Sequence, residues 1–409
     1  MDLRRRAFLT TLSRVAGATI LGSCLDRTVP LGLSGSDPTP PDVNHDLQAV
    51  CDPPSAVTLG DLTVSTHPWP RGLDAAAVID VDDFCPVVVP SDGLDFGGDL
   101  TSNGVLRGFL LDQLAVTYPE VKVSLMTIAN MRQNPITRMP IAEDDRYLLS
   151  RQSDWAAAVR EILDAYPSFR LAMHGYWHFN YPGRNAAEFN QYSDLQARAV
   201  MGEMHREFLR VFPMVEPVFR APGWVSTPGV LEYVAAAGLL LADSSATTTF
   251  KGSVPSCETL RPTLQFVRAG PDYSEWITQE AQSAGLIVGH FHFTAPNKYN
   301  LGSDLGRQTA LGFARDIRNA TAKYRIEWFS YHEAARSVAL ANSVKWAAVL
   351  DGNTLRITVG SWATPLQDVT LAVQNLAGRD VAVESVLGDP IPFRLSGSAR
   401  GCDYIVLAP

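Results

Sequence analysis

Ala75-Ala76-Ala77-Val78-Ile79-Asp80-Val81 is a short apolar run interrupted once by a carboxylate, and it closes on Asp82-Asp83. Such a run suits a strand buried inside a sheet. Three times afterwards a helix-like stretch ends at proline and an apolar strand follows. Leu106–Tyr118 leads through Pro119 to Val121–Ile128, Asp154–Tyr166 through Pro167 to Phe169–Met173, and Gln196–Phe212 through Pro213 to Val215–Phe219. Proline lacks the amide hydrogen a helix interior needs and pushes its neighbour toward extended geometry. Helix-then-strand units at this spacing predict an α/β domain built on a parallel sheet or barrel. Further strands are expected at Leu239–Ala242, Leu286–Phe293 and Arg325–Ser330, and a last helix at His332–Leu340. Beyond about residue 344 the helical period disappears. Trp346–Leu350, Thr354–Val359, Val369–Val373, Val381–Val386 and Tyr404–Leu407 read as short strands, with Asp351-Gly352-Asn353 as a hairpin turn.

The boundaries that follow are 1–24, 25–60, 61–343 and 344–409. The first segment carries Arg4-Arg5-Arg6, then Ala7-Phe8-Leu9, then a mildly apolar stretch from Val15 to Gly22 that ends at Cys24. A basic start before a short apolar run reads as an export signal. The Arg-Arg-x-Phe-Leu pattern resembles a twin-arginine signal, and Leu21-Gly22-Ser23-Cys24 resembles a lipoprotein box in which Cys24 takes the lipid. The second segment, rich in Ser, Gly, Asp and Pro, suits a flexible tether. The third is the α/β domain and the fourth a small β module. An exported, surface or periplasmic location follows, with the membrane engaged only through the N-terminus.

Composition adds exclusions. Net charge is −9, with 46% hydrophobic and 19% charged residues, so nothing favours a broad electrostatic grip on nucleic acid. If Cys24 is lipidated, Cys51, Cys85, Cys257 and Cys402 remain, and an oxidising location allows three pairings among them. There is no CxxC pair, which disfavours a cysteine zinc site.

The residues that carry chemistry cluster where strands end, the place where sites form in parallel α/β folds. Asp80, Asp82 and Asp83 crowd the end of the first strand. Like charges that close need a cation nearby, although a solvated loop or helix cap has the same appearance. His174-Gly175-Tyr176-Trp177-His178 follows the strand Phe169–Met173, and histidines four apart on a helical turn face one metal. A structural histidine pair packed on Trp177 is the alternative. Arg220-Ala221-Pro222-Gly223-Trp224 follows the next strand; its arginine can orient a carboxylate, or merely sit in a turn with a surface ion pair. His290 and His292 alternate onto one face of a late strand, and one can be core while the other is exposed.

Taken in order, Asp-Asp, HxxxH, Arg-x-Pro and a late strand histidine resemble the polysaccharide deacetylase (NodB-homology) superfamily over about residues 75–335. The resemblance implies an irregular (β/α) barrel. It makes Asp82 the general base, Asp83, His174 and His178 the ligands of a divalent metal ion (zinc expected), Arg220 the orienter of the base, and His290 the general acid. Strand register after Ile287-Val288-Gly289 favours His290 over His292 as that acid. Asp243-Ser244-Ser245 resembles the family's Asp-Ser segment. Tyr176, Trp177, Trp224 and His292 become candidate substrate contacts, and a backbone N–H near Gly223 a candidate oxyanion donor. The chain departs from the family at Phe84-Cys85, where glycine is usual, at Gly175, where Ser or Thr is usual, and at Gly223-Trp224, where an aromatic follows the proline. The expected activity is removal of N- or O-linked acetyl groups from an extracellular or cell-surface polysaccharide. An inactive glycan-binding protein on the same fold, or a hydrolase of a non-sugar amide or ester, fits the same residues.

Overall fold

The computed structural model describes residues 56–89, 94–132, 144–178, 188–224, 226–242, 273–294, 299–360, 369–397 and 401–407. The readings of residues 1–24, of Cys24, Cys51 and Cys257, of most of the tether and of Asp243-Ser244-Ser245 lie outside the described residues, as does the side chain of Trp224.

The first described strands are β1 (Ala56–Leu59) and β2 (Leu62–His67). Next comes β3 (Ala75–Phe84), buried at all ten positions, followed by the small hairpin β4 (Val88–Val89) and β5 (Leu94–Asp95). The parallel sheet is completed by β6 (Val123–Thr127), β7 (Phe169–Met173), β8 (Val218–Phe219), β9 (Leu240–Leu241), β10 (Leu286–His292) and β11 (Ile326–Trp328). Its order is β10-β3-β6-β7-β8-β9, with β11 against the first residues of β3, and each described pairing is parallel. Burial on both faces explains the near-continuous apolar runs seen in the sequence. Helices alternate with the strands. Ser153–Ala165 buries the stripe Trp155, Ala156, Val159, Ile162 and Leu163 and stops before Pro167. Asp194–Val211 starts at a capping box between Ser193 and Gln196. The expected first helix is instead wound with π geometry over Val105–Ala115. Helices at Pro228–Ala236, Ser274–Ser283 and Asp304–Ala320 were not anticipated, and the last one runs Tyr331–Ser343. The parallel half-barrel with its helices is an irregular (β/α) barrel.

The remaining strands are β12 (Trp346–Asp351), β13 (Thr354–Val359), β14 (Thr370–Gln374), β15 (Asp380–Ser385), β16 (Phe393–Gly397) and β17 (Asp403–Leu407). They form two sheets, β12-β13-β15 and β1-β2-β14-β17-β16, around a core that includes Leu62, Val64, Leu355, Ile357, Leu371 and Ile405. The sequence boundaries differ here. Residues 56–60 were read as tether and 61–67 as barrel, yet both belong to strands of the C-terminal module, with Thr66 opposite Leu371. Leu62 and Val64 alternate inward, and their partners lie at the other end of the chain, so no local pattern announces the pairing. The module meets the barrel at the amino ends of its strands, through Tyr404 to Asp74 (3.2 Å) and the Gly72 amide to Thr370 (3.1 Å). The site lies about 30 Å away at the other end of β3, at ~3.3 Å per strand residue.

Candidate metal centre

Strand alternation would send Asp82 and Asp83 to opposite faces. The pairing of β3 with β6 slips by one residue between Val81 and Phe84, and Asp83 takes a left-handed conformation at φ 70°. A bulge of this kind re-aims side chains. Both carboxylates thereby reach one cluster, and both are buried.

The histidine segment differs from the helical turn expected of it. Residues 174–178 form a loop, with Gly175 at φ 85° and His178 at φ 54°. The physical reason is Glu188, which is fully buried and accepts the backbone N–H groups of Tyr176, Trp177 and His178, each at 3.1 Å. One carboxylate thus gathers three successive amides and folds the loop around itself. Gly175 is required there, since a Cβ would lie 2.5 Å from Pro222 and 2.6 Å from Glu188. That accounts for glycine at a position where the resemblance leads one to expect Ser or Thr. Sequence reading missed Glu188, which carries no motif.

The loop brings His174 and His178 to Asp83. Asp83 Oδ1 lies 3.0 Å from His178 Nε2 and 3.6 Å from His174 Nε2, and the three ligand atoms fall within 4.8 Å of one another. Asp83 Oδ1 is buried and makes no hydrogen bond among the described residues. His174 Nδ1 donates to the carbonyl of Arg220 at 3.1 Å, which leaves the Nε2 lone pair directed at the cluster. A buried carboxylate oxygen without a hydrogen bond, beside two imidazole nitrogens, fits a divalent metal ion with nitrogen and oxygen ligands. Two of the three candidate ligands, Asp83 and His178, also sit in left-handed conformations rare for non-glycine residues, a pattern common at functional sites.

Beside this triad stands a second buried network. Arg220 is fully buried; its Nη1 donates to Asp82 Oδ1 at 2.9 Å, its Nε to the Ala242 carbonyl at 3.2 Å, and its Nη2 to Asp80 and to Tyr331 Oη. Tyr331 in turn donates to Asp80 Oδ2 at 2.7 Å, and His290 Nδ1 donates to Asp80 Oδ1 at 2.6 Å. Parallel register places His290 next to Asp80 and His292 next to Asp82. Asp80 was seen in sequence only as one of three crowded carboxylates. The structure makes it the partner of both His290 and Arg220. Tyr331, opening the last helix, was missed altogether.

Electrostatics follow from these contacts. Burial pushes Asp80 and Asp82 upward, but the Arg220 guanidinium and the neighbouring histidines outweigh it and hold both below the ordinary carboxylate range. Burial likewise acts on Asp83, and His178 and His174 pull it well below that range. Burial, with His290 beside it, pushes His292 down to about 4, so its imidazole is neutral at pH 7. Burial raises Glu188, against which the three amide bonds act.

The candidate substrate contacts divide. Trp177 is 5% exposed, with the Arg132 guanidinium 4.8 Å above its ring, so most of its surface is taken up by packing. Tyr176 is half-buried, His292 partly buried, and Gly223 exposed at φ 64°. Cys85, at the position where glycine was expected, is a buried free thiol whose Sγ lies 3.1 Å from Met131 Sδ.

No protein-family model and no curated protein matches the chain. Solved structures do. A protein from Mycobacterium smegmatis assigned to the polysaccharide deacetylases aligns at 14% identity over 70% of this chain and 94% of its own, with a TM-score of 0.41. PuuE allantoinase aligns at 13% identity over 66% and 92%, with a TM-score of 0.40. A family 4 acetyl xylan esterase from Clostridium thermocellum, solved with a cobalt ion, aligns at 11% identity over 63% and 89%, with a TM-score of 0.30. At these values the likeness does not bear on activity or substrate. The strand order places Asp82, Asp83, His174, Arg220 and His290 at or near the carboxyl ends of β3, β7, β8 and β10, the end of a parallel barrel where sites form.

Proposed function

We propose that this chain is a metal-dependent hydrolase that removes acetyl groups, N- or O-linked, from an exported or cell-surface glycan. One observation carries the reading. A buried triad able to hold a metal, Asp83 with His174 and His178, stands directly beside a separately held carboxylate, Asp82, and a carboxylate-paired imidazole, His290. Ligation, proton removal and proton donation thus have distinct side chains. That division argues against an inert binding site, where nothing would maintain so costly a set of buried charges.

A divalent ion held by Asp83, His174 and His178 would supply Lewis acidity toward an acyl carbonyl and lower the pKa of a water. Asp82, fixed by Arg220 and kept ionised, accepts the proton of the attacking water through Oδ2, which lies 3.5 Å from His174 Nε2 and so faces the triad. His290, in its acid form, carries a proton on each nitrogen. Asp80 balances that charge at Nδ1, and Nε2 delivers the other proton to the departing amine or hydroxyl. Arg220 keeps Asp80 and Asp82 apart in role by binding both. The exposed Gly223 backbone beside the Arg220 strand end is the candidate donor to the developing oxyanion.

The test combines metal analysis of purified protein with acetate release from a panel of acetylated glycans. Wild type should retain a divalent ion and release acetate, and the His174→Ala/His178→Ala double variant should lose both. Undiminished metal in that variant, or acetate release that survives it, refutes the reading. We further propose that the protein works outside the cytoplasm, anchored through Cys24. Membrane fractionation of wild type against Cys24→Ala tests this, and a wild type found only in the cytoplasm overturns it.

A further inference from the structure

The same sheet face carries a second potential ligand set. Asp82, His290 and His292 place their ligand atoms within 4.8 Å of one another, as the Asp83, His174 and His178 group also does. Register is the cause: β10 lies parallel to β3 with His290 opposite Asp80 and His292 opposite Asp82, so period-two alternation stacks all four on one face. His290 Nε2 is 3.9 Å from Asp82 Oδ2, and its Nδ1 donates to Asp80 at 2.6 Å. A carboxylate on the far ring nitrogen is the arrangement that fixes a metal-binding histidine in its ligating tautomer. His292 Nδ1 is a buried atom without a hydrogen bond among the described residues. Asp82 Oδ2 is also 3.5 Å from His174 Nε2, so this carboxylate stands between the two sets, where a bridging group sits in paired-metal sites.

We propose that Asp82, His290 and His292 form a second divalent-cation site, weaker than the first. Charge sets the order. Asp80, Asp82 and Asp83 bring three negative charges against one guanidinium, Arg220, which pairs with Asp80 and Asp82, so one divalent ion neutralises the cluster and a second leaves it positive. The functional consequence rests on the hydrolase reading above. An ion at this site occupies the proposed base and acid together, so excess metal inhibits the enzyme, and the site takes nitrogen-preferring ions such as zinc before magnesium or calcium.

Binding can be tested without any substrate. Metal-free full-length protein is dialysed against increasing zinc, and bound zinc is measured by elemental analysis. Wild type should take up a tight equivalent and then a weaker one. His292→Phe, which keeps ring volume but no ligand atom, should lose the weaker equivalent; His292→Gln serves as a second variant if Phe impairs folding. His178→Ala should lose the tight one and keep the weak one. Saturation of wild type at one equivalent, or His292 variants that bind as much zinc as wild type, overturns the proposal. If that single equivalent vanishes in His178→Ala, the hydrolytic centre stands and only the second site fails. If it instead vanishes only in His292→Phe, the lone ion sits on Asp82, His290 and His292, and both the two-site proposal and the Asp83–His174–His178 assignment fail.

Discussion

Replacing Arg220 with methionine keeps an unbranched side chain in the same fully buried slot and removes the cation that pairs with both Asp80 and Asp82. Removing one partner of a buried ion pair typically costs ~3–5 kcal/mol, because the remaining charge stays desolvated without compensation. Here one cation serves two carboxylates, so the upper end, about 5 kcal/mol, is expected. Urea unfolding followed by tryptophan fluorescence, with chelator present so that no metal contributes, measures it. The pH dependence gives a sharper check. In wild type Arg220 helps hold both carboxyls below their unfolded value near 3.8, so their contribution is present above that value and lost as pH falls below it. Without Arg220 only the neighbouring histidines oppose burial, so both carboxyls rise relative to wild type and the variant loses less stability, or gains some, as pH drops. The gap between the two proteins should therefore be widest at pH 7 and narrow toward pH 4.5. Adding Asp80→Asn to Arg220→Met should recover part of the loss at pH 7. A gap below about 1 kcal/mol at pH 7, or one that does not change with pH, would mean that Arg220 is not the electrostatic keystone argued here.

Asp82→Asn should keep metal affinity close to wild type while acetate release falls ~100- to 10,000-fold, the range for a lost general base; a parallel loss of metal would instead make Asp82 a ligand of the tight site. Glu188→Ala frees the three amides of the histidine loop and should weaken metal binding ~10- to 100-fold in competition with a chromophoric chelator. Unchanged affinity would show that the loop holds its shape without that carboxylate. Gly175→Ala combines a positive φ of 85° with close approach to Pro222 and should destabilise the fold by about 1–3 kcal/mol in thermal melts. A melt unchanged from wild type would count against the strained-loop description.

The parallel α/β domain was legible because its evidence is local. Buried strands such as Ala75–Val81 and Phe169–Met173 need apolar runs, and Pro167 and Pro213 mark where helices stop, so period and punctuation alone place them. The candidate ligands were legible as residue types, carboxylates and imidazoles at strand ends; Asp83, His174 and His178 were nominated in sequence, and the structure brings them together in space. What tertiary structure decided is everything that depends on distant partners. The helical turn inferred for His174–His178 is a loop because Glu188, beyond the segment, collects its amides. Asp82 and Asp83 share a site only because β3 bulges against β6. Asp80 became the partner of His290 and Arg220, more than a hundred residues away in each case, through sheet register and the crossover order of the barrel. Strand β1, read as tether, and β2, read as barrel, belong to the C-terminal module because Leu62 and Val64 find their core against residues beyond 350. A sequence states which side chains can carry charge or ligate and which stretches must be buried. Register, bulges and long-range pairing, whose energies are set by atoms far apart in the chain, decide which of those side chains meet.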